Sequence, residues 1–303
     1  MSTSHDGSQA AASGVRFQLN GQQVQARPGE TLLKVAQRAG IDIPHLCYKD
    51  GLETAGNCRA CVVEIEGERV LAPSCCRTPS ADMKVNTDSK RAVDAQKMVL
   101  ELLLSDMPEK DYTRHNEVDV WAEHLGVQKP RFEARAQPVA DVTHPGIAVH
   151  LDACIQCTRC LRACREEQVN DVIGLAMRGD HAKIVFDMDD PMGNSTCVAC
   201  GECVQACPTG ALMPAREVAL AEPDRQVESV CPFCGVGCQL TYNIREGRIA
   251  YVEGRDGPAN HGRLCVKGRY GFDYAHHPHR LTRPLIRRAD APKTGDFTMD
   301  PER

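Results

Sequence analysis

The chain has 303 residues with a formal net charge of −5, so it carries no basic field that would recruit nucleic acid. Aromatic residues make up 4% of it and mean hydropathy is −0.37, which leaves little apolar surface for a large core and favours small modules stapled by metal. No stretch reaches the roughly 18 uninterrupted apolar residues of a membrane span, and the absence of a basic, apolar leader predicts a reducing, cytoplasmic setting, in which clustered cysteines read as metal ligands rather than disulfides.

Residues 1–14 are rich in Ser, Ala, Gly and Gln and read as a disordered leader. From Val15 the pattern becomes regular. Val15 to Leu19 and Val24 to Ala26 alternate as strands about Asn20-Gly21, and Thr31 caps a helix that Gly40 ends. A second hairpin is predicted about Glu66-Gly67-Glu68, with Arg69 to Leu71 as its return strand, and a last short strand over Met83 to Asn86. A helix crossing a small mixed sheet is the outline of a β-grasp domain, residues 15–104. Its final helix, Thr87 to Leu104, would be capped by Thr87 or Asp88 and pack through Ala92, Val93, Met98, Val99, Leu102 and Leu103.

Residues 105–146 are polar and proline-punctuated and read as a helical connector; 147–226 hold two similar cysteine runs separated by a strand at Ala182 to Phe186. Residues 227–288 form a last unit with a hairpin about Glu246-Gly247, followed by a Pro-, Asp- and Lys-rich tail, 289–303. The class is α+β.

Seventeen cysteines punctuate this plan. Cys47, Cys58, Cys61 and Cys75 are spaced x10, x2 and x13 around Gly56-Asn57-Cys58-Arg59-Ala60-Cys61. A tight loop of small residues brings backbone amides near inorganic sulfur, and the long unequal arms favour a 2Fe-2S cluster over four-cysteine zinc. Cys75 is assigned from spacing, and Cys76 reads as a small buried filler. Cys154, Cys157, Cys160 and Cys164 form a C-x2-C-x2-C-x3-C run, repeated by Cys197, Cys200, Cys203 and Cys207 before Pro208. Three cysteines of such a run seat one 4Fe-4S cluster while the fourth serves the other. The expected sets are therefore Cys154, Cys157, Cys160 with Cys207, and Cys197, Cys200, Cys203 with Cys164. Cys231, Cys234, Cys238 and Cys265 supply four more thiolates, a set that by itself suits either a 4Fe-4S cluster or a zinc ribbon.

The order of these sites resembles the N-terminal portion of the α subunit of NAD-dependent, molybdenum- or tungsten-containing formate dehydrogenases, over about residues 15–288. The first half also resembles the large iron–sulfur subunit of NADH:quinone oxidoreductase and the diaphorase iron–sulfur subunit of NAD-reducing hydrogenases. Cys231 to Arg269 is similar to the cluster-binding start of the molybdopterin oxidoreductases, which implies a bacterial-type two-cluster ferredoxin domain followed by a small β-rich 4Fe-4S domain, with Lys267 bridging the last cluster to a pterin. Many relatives carry a His-x3-Cys-x2-Cys-x5-Cys site in the connector; its positions here are Met107, Asp111, Arg114 and Val120, so that cluster is expected to be lost. His115 and His124 nearby, and His276, His277 and His279 near the end, read as surface or packing residues.

The resemblance implies one 2Fe-2S and three 4Fe-4S clusters relaying electrons between a Mo or W bis-pterin guanine dinucleotide centre, in a catalytic domain expected beyond this chain, and a flavin/NAD-binding β subunit with its own iron–sulfur clusters, FMN and NAD. No glycine-rich dinucleotide fingerprint follows any predicted strand, so NAD binding falls to that partner. The rivals are an electron-transfer subunit of a hydrogenase or quinone oxidoreductase and, from another class, a zinc-bearing scaffold.

Overall fold

A computed structural model describes residues 14–107, 116–127, 130–215, 222–284, 286–287 and 289–290. The leader and almost all of the tail lie outside these residues, as do Asp111, Arg114 and His115. The chain divides into two compact units, 1–220 and 221–303.

Unit 1 opens with β1 (Arg16–Leu19) and β2 (Gln22–Gln25), closed by Asn20 and Gly21 at φ 49° and 77°, the two positive values a tight two-residue hairpin needs. Helix α1 (Leu32–Arg38) follows, its first turn capped by Thr31 Oγ1 accepting from Lys34 N. Gly40 then turns left-handed at φ 73°. Strands β3 (Val62–Ile65), β4 (Ala72–Pro73) and β5 (Lys84–Asn86) complete a sheet of order β2-β1-β5-β3-β4, in which β1 and β5 run parallel. Phe17, Leu19, Leu32, Leu33, Val35, Val63 and Val85 close the space between helix and sheet, each contributing about 2 kcal/mol by burial. The return strand lies at Ala72–Pro73 rather than Arg69 to Leu71, and Val70 stays exposed.

Helix α2 (Lys90–Ser105) starts later than expected because Ser89 takes the cap, its Oγ accepting from Ala92 N. Thr87 is occupied elsewhere: its hydroxyl accepts from Asn20 Nδ2 and its amide donates to Asn20 Oδ1, both at 2.8 Å. The buried face is Ala92, Gln96 and Leu100, with Gln96 Nε2 donating to Val62 O at 2.9 Å, while Met98 and Leu102 stay exposed. The connector supplies α3 (Glu117–Leu125), capped by Asn116 and ended by left-handed Gly126. It is pinned by Glu117 N donating to Pro208 O at 2.8 Å.

The rest of unit 1 is β6 (Ile147–Val149), α4 (Arg159–Arg162), a π-helical turn at Ala163–Glu167, β7 (Ile173–Ala176), β8 (Lys183–Phe186), α5 (Glu202–Ala206) and β9 (Leu212–Pro214). Two antiparallel ribbons, β6 with β9 and β7 with β8, frame the cysteine runs. The segments read from sequence as 2Fe-2S module, connector and dicluster module thus belong to one compact unit. Unit 2 is a three-stranded antiparallel sheet of β10 (Arg225–Val230), β11 (Gln239–Arg245) and β12 (Arg248–Gly254), then α6 (Val266–Tyr270), packed around Leu240, Val252 and Leu264. Strand β10 was not expected, since its Arg225–Val230 is exposed along most of its length and shows no alternation of apolar residues.

Candidate iron–sulfur centres

The first set sits where the loop before β3 meets the turn after β4. Cys47, Cys61 and Cys75 are buried and Cys58 is partly so. Ser74, itself fully buried, donates both its amide and its hydroxyl to Cys61 O, at 3.0 and 2.8 Å, which holds Cys61 and Cys75 together. Cys47 N donates to Cys58 Sγ at 3.4 Å. The four thiols also meet one another: hydrogen bonds from Cys58 and Cys75 pull the Cys47 thiol far down, and that from Cys75 leads the fall of Cys61 to about 7, while the donors Cys58 and Cys75 are pushed up. The four sulfurs thus lie within reach of one another, an arrangement that would suit a cationic core. Cys76 corrects the reading of it as a buried filler. It is exposed, 3.5 Å from Cys75 Sγ, and its sulfur would lie 2.7 Å from any Cβ at position 56, which is why that left-handed position is glycine.

In the second region, Cys154, Cys157, Cys160 and Cys207 line one cavity with Ile155, Ile184, Pro208 and Leu212. Burial pushes the Cys157 thiol up to about 12 and Cys160 well above its ordinary value, with the charges of neighbouring cysteines adding to both. Bare thiolates are therefore disfavoured in this apolar pocket, and iron in place of the protons would remove that cost. Cys197 and Cys200 are pushed up by burial first, and the charge of Cys164 adds to each. Cys207 thus stands with the first run and Cys164 faces the second, on the π-helical turn after α4. Backbone geometry repeats with the cysteines. Gln156, Thr158, Ala199 and Gly201 all hold positive φ, and Gln156 N and Ala199 N donate at 3.4 Å to Cys154 Sγ and Cys197 Sγ. Gln156, Thr158 and Ala199 are non-glycine residues in the left-handed region, at a cost of about 1 kcal/mol each, and left-handed positions recur at matching places in the two runs.

In unit 2, Cys231 N donates to Cys238 O at 2.8 Å. Burial raises the Cys238 thiol, followed by the charges of Cys231, Cys234 and Cys265. Asn260 delivers the distant Cys265: its Oδ1 accepts from Gln239 N, and its Nδ2 donates to Gln239 O, Arg255 O and Arg263 O, all within 3.1 Å. Cys265 caps α6, whose Gly268 faces Cys231 Sγ. Cys234, Cys265 and Lys267 are exposed. His276 Nε2 accepts from Ile249 N at 3.1 Å, so it packs back on β12, while His277 and His279 are exposed.

In the connector, Met107 joins an apolar cluster with Leu46, Ala60, Leu100, Val118 and Trp121, Val120 is exposed, and His124 packs edge-on against Trp121. Among the described residues, no three or more His, Cys, Asp or Glu side chains are grouped to hold a single metal ion. Sequence reading missed Arg159, which is buried and pairs in bidentate fashion with Glu117 at 2.7 and 2.8 Å, and Arg162 and Asn260. Of the three, only Arg159 adjoins a cysteine in the sequence.

Residues 12–90 match the family described as a 2Fe-2S iron–sulfur cluster binding domain, 149–211 the 4Fe-4S dicluster domain and 224–277 the molybdopterin oxidoreductase Fe4S4 domain. A subunit of the NADH-quinone oxidoreductase of Rhizobium meliloti (strain 1021) is 34% identical over 90% of this chain and 33% of its own length. A protein named "Putative formate dehydrogenase" from Staphylococcus aureus (strain USA300) is 28% identical over 92% of this chain and 32% of its own. The chain spans about a third of the length of these curated relatives. In fold, it matches a crystal structure of an NAD+-reducing nickel–iron hydrogenase with a TM-score of 0.63 at 24% identity, covering 68% of this chain and 90% of that one. No helix among the described residues is long and apolar enough to cross a membrane. The chain thus carries matches to three cluster-binding domains in this order and is similar in sequence to a subunit of NADH-quinone oxidoreductase and to a protein named as a formate dehydrogenase.

Proposed function

We propose that this chain relays electrons between a molybdenum- or tungsten-pterin centre that oxidises formate, or reduces carbon dioxide, and a flavin- and NAD-binding partner subunit. In this reading a β-grasp domain holds a 2Fe-2S cluster through Cys47, Cys58, Cys61 and Cys75. A bacterial-type ferredoxin domain holds two 4Fe-4S clusters, one through Cys154, Cys157, Cys160 and Cys207 and one through Cys164, Cys197, Cys200 and Cys203. Unit 2 holds the third 4Fe-4S cluster through Cys231, Cys234, Cys238 and Cys265. When bound, such clusters take up and release single electrons without making or breaking bonds to a substrate. The chain's own residues fix ligand geometry, exclude water and set each potential by burial, amide hydrogen bonds and nearby charge.

The observation that carries this reading is unit 2. Its cysteine set lies within the match to the molybdopterin oxidoreductase Fe4S4 domain, and exposed Lys267, two residues past Cys265, is free to meet a pterin. A second reading, a component of a quinone oxidoreductase, is favoured by the 34% identity to the Rhizobium protein. Against it stands the absence of the histidine-ligated motif at Met107 and Val120. Anaerobically purified protein, with its associated subunits, should contain about 14 iron atoms per chain and little zinc. Formate should bleach its visible absorbance and NADH should do so in reverse. Full iron with no response to formate would overturn the formate assignment alone, and zinc in place of iron would end the electron-transfer reading.

A further inference from the structure

Arg162 lies on the last turn of α4, between two cluster-binding segments that are more than 100 residues apart in sequence. Its residue is 8% exposed. One nitrogen, Nη2, donates to Cys47 O at 2.6 Å and to Cys157 O at 3.3 Å, and Nη1 donates to Glu53 O. The first carbonyl belongs to a residue of the 2Fe-2S set, the second to one of the adjoining 4Fe-4S set. Around it the same two loops touch again: Asn57 Nδ2 donates to Gln156 O and Thr158 Oγ1, Glu53 N donates to Glu166 Oε2, and Ile155 shares an apolar cluster with Leu46 and Cys58.

No ion pair neutralises the guanidinium among the described residues, the nearby Glu166 carboxylate being engaged by Glu53 N. The guanidinium's partners are neutral carbonyls, and its Nε is buried without a hydrogen-bond partner. A buried cation held only by dipoles is costly unless negative charge lies close by. The two flanking thiolate sets supply it. Each would be anionic overall when loaded, since four thiolates outweigh the core they bind, and each gains a further negative charge on reduction.

We infer that Arg162 is the positioning residue that clamps the 2Fe-2S loop to the first 4Fe-4S loop and, as the shared cation between them, holds both sites at a higher reduction potential. The inference rests on the ligand sets proposed above. It is distinct from them, because Arg162 ligates nothing.

The test is made on the complete chain with its clusters in place, comparing Arg162→Met and Arg162→Lys with the unsubstituted protein. Arg162→Met should retain its iron yet lower the midpoint potentials of the 2Fe-2S signal and of one 4Fe-4S signal. It should also lose at least half of the relaxation enhancement that the reduced 4Fe-4S centre imposes on the 2Fe-2S signal. Arg162→Lys, which keeps the charge, should restore the potentials and leave the enhancement weakened. Should Arg162→Met lose iron, Asn57→Ala removes a neighbouring strut without touching the cation and should weaken the enhancement with potentials unchanged. Unaltered potentials in Arg162→Met at full iron content, or unaltered enhancement in both Arg162→Met and Asn57→Ala, would overturn the inference. Missing 2Fe-2S or 4Fe-4S signals in the unsubstituted protein would instead overturn the ligand sets.

Discussion

Residues 154–164 and 197–207 repeat one spacing of cysteines, and the repeat extends to the backbone, with left-handed residues at Gln156 and Ala199 and again at Thr158 and Gly201. The pair that separates the second and third cysteines breaks it. Thr158-Arg159 in the first run faces Gly201-Glu202 in the second, and both charged residues are 3% exposed. A cation beside a cluster stabilises an added electron and an anion opposes it. Arg159 is a buried cation paired with the Glu117 carboxylate, whereas Glu202 places a buried carboxylate in the matching gap of the second run. In the proposed reading, ligand spacing sets what each run can hold and the residues in the gaps set how readily it is reduced.

The largest expected effects test whether the repeat is crossed as proposed. Cys207→Ser and Cys164→Ser should each lose about four iron atoms per chain, and in Cys207→Ser the surviving 4Fe-4S signal of this pair should respond to Glu202→Gln and not to Arg159→Gln. The reverse response in iron analysis and redox titration would mean that each run keeps its own fourth cysteine. Next in size are the charges themselves. Arg159→Gln should lower one 4Fe-4S potential and Glu202→Gln raise another, followed by paramagnetic resonance; shifts of the same sign would break the comparison. Smallest is the backbone. Ala199→Gly should relieve left-handed strain and Gly201→Ala introduce it, each by about 1 kcal/mol, read as opposite shifts in the denaturation midpoint of the visible absorbance.

Much of this was legible in the sequence because cysteine spacing and turn chemistry are local signals. Asn20-Gly21 and Glu246-Gly247 could be placed as turns since their conformations need few other residues. The cap of α2 was misplaced by one or two residues because the hydroxyl of Thr87 is claimed by Asn20, 67 positions away. Met98 and Leu102 looked like core residues by type alone, but the helix turns Gln96 inward to satisfy the carbonyl of Val62. Arg162 and Asn260 read as ordinary polar residues because what defines them is the set of distant carbonyls they reach. Cys76 was given the wrong environment for a similar reason: its exposure depends on how the loop at Gly56 passes over it.

The exposure of Cys234 and Cys265 in unit 2, set against the buried Cys47, Cys61 and Cys75, bears on how the protein must be handled. Sulfur and iron that solvent can touch are sulfur and iron that dioxygen can touch. If the proposed clusters are in place, an uncovered Cys231 set is open to attack in air before the Cys47 set, and the visible absorbance of unit 2 should fade first.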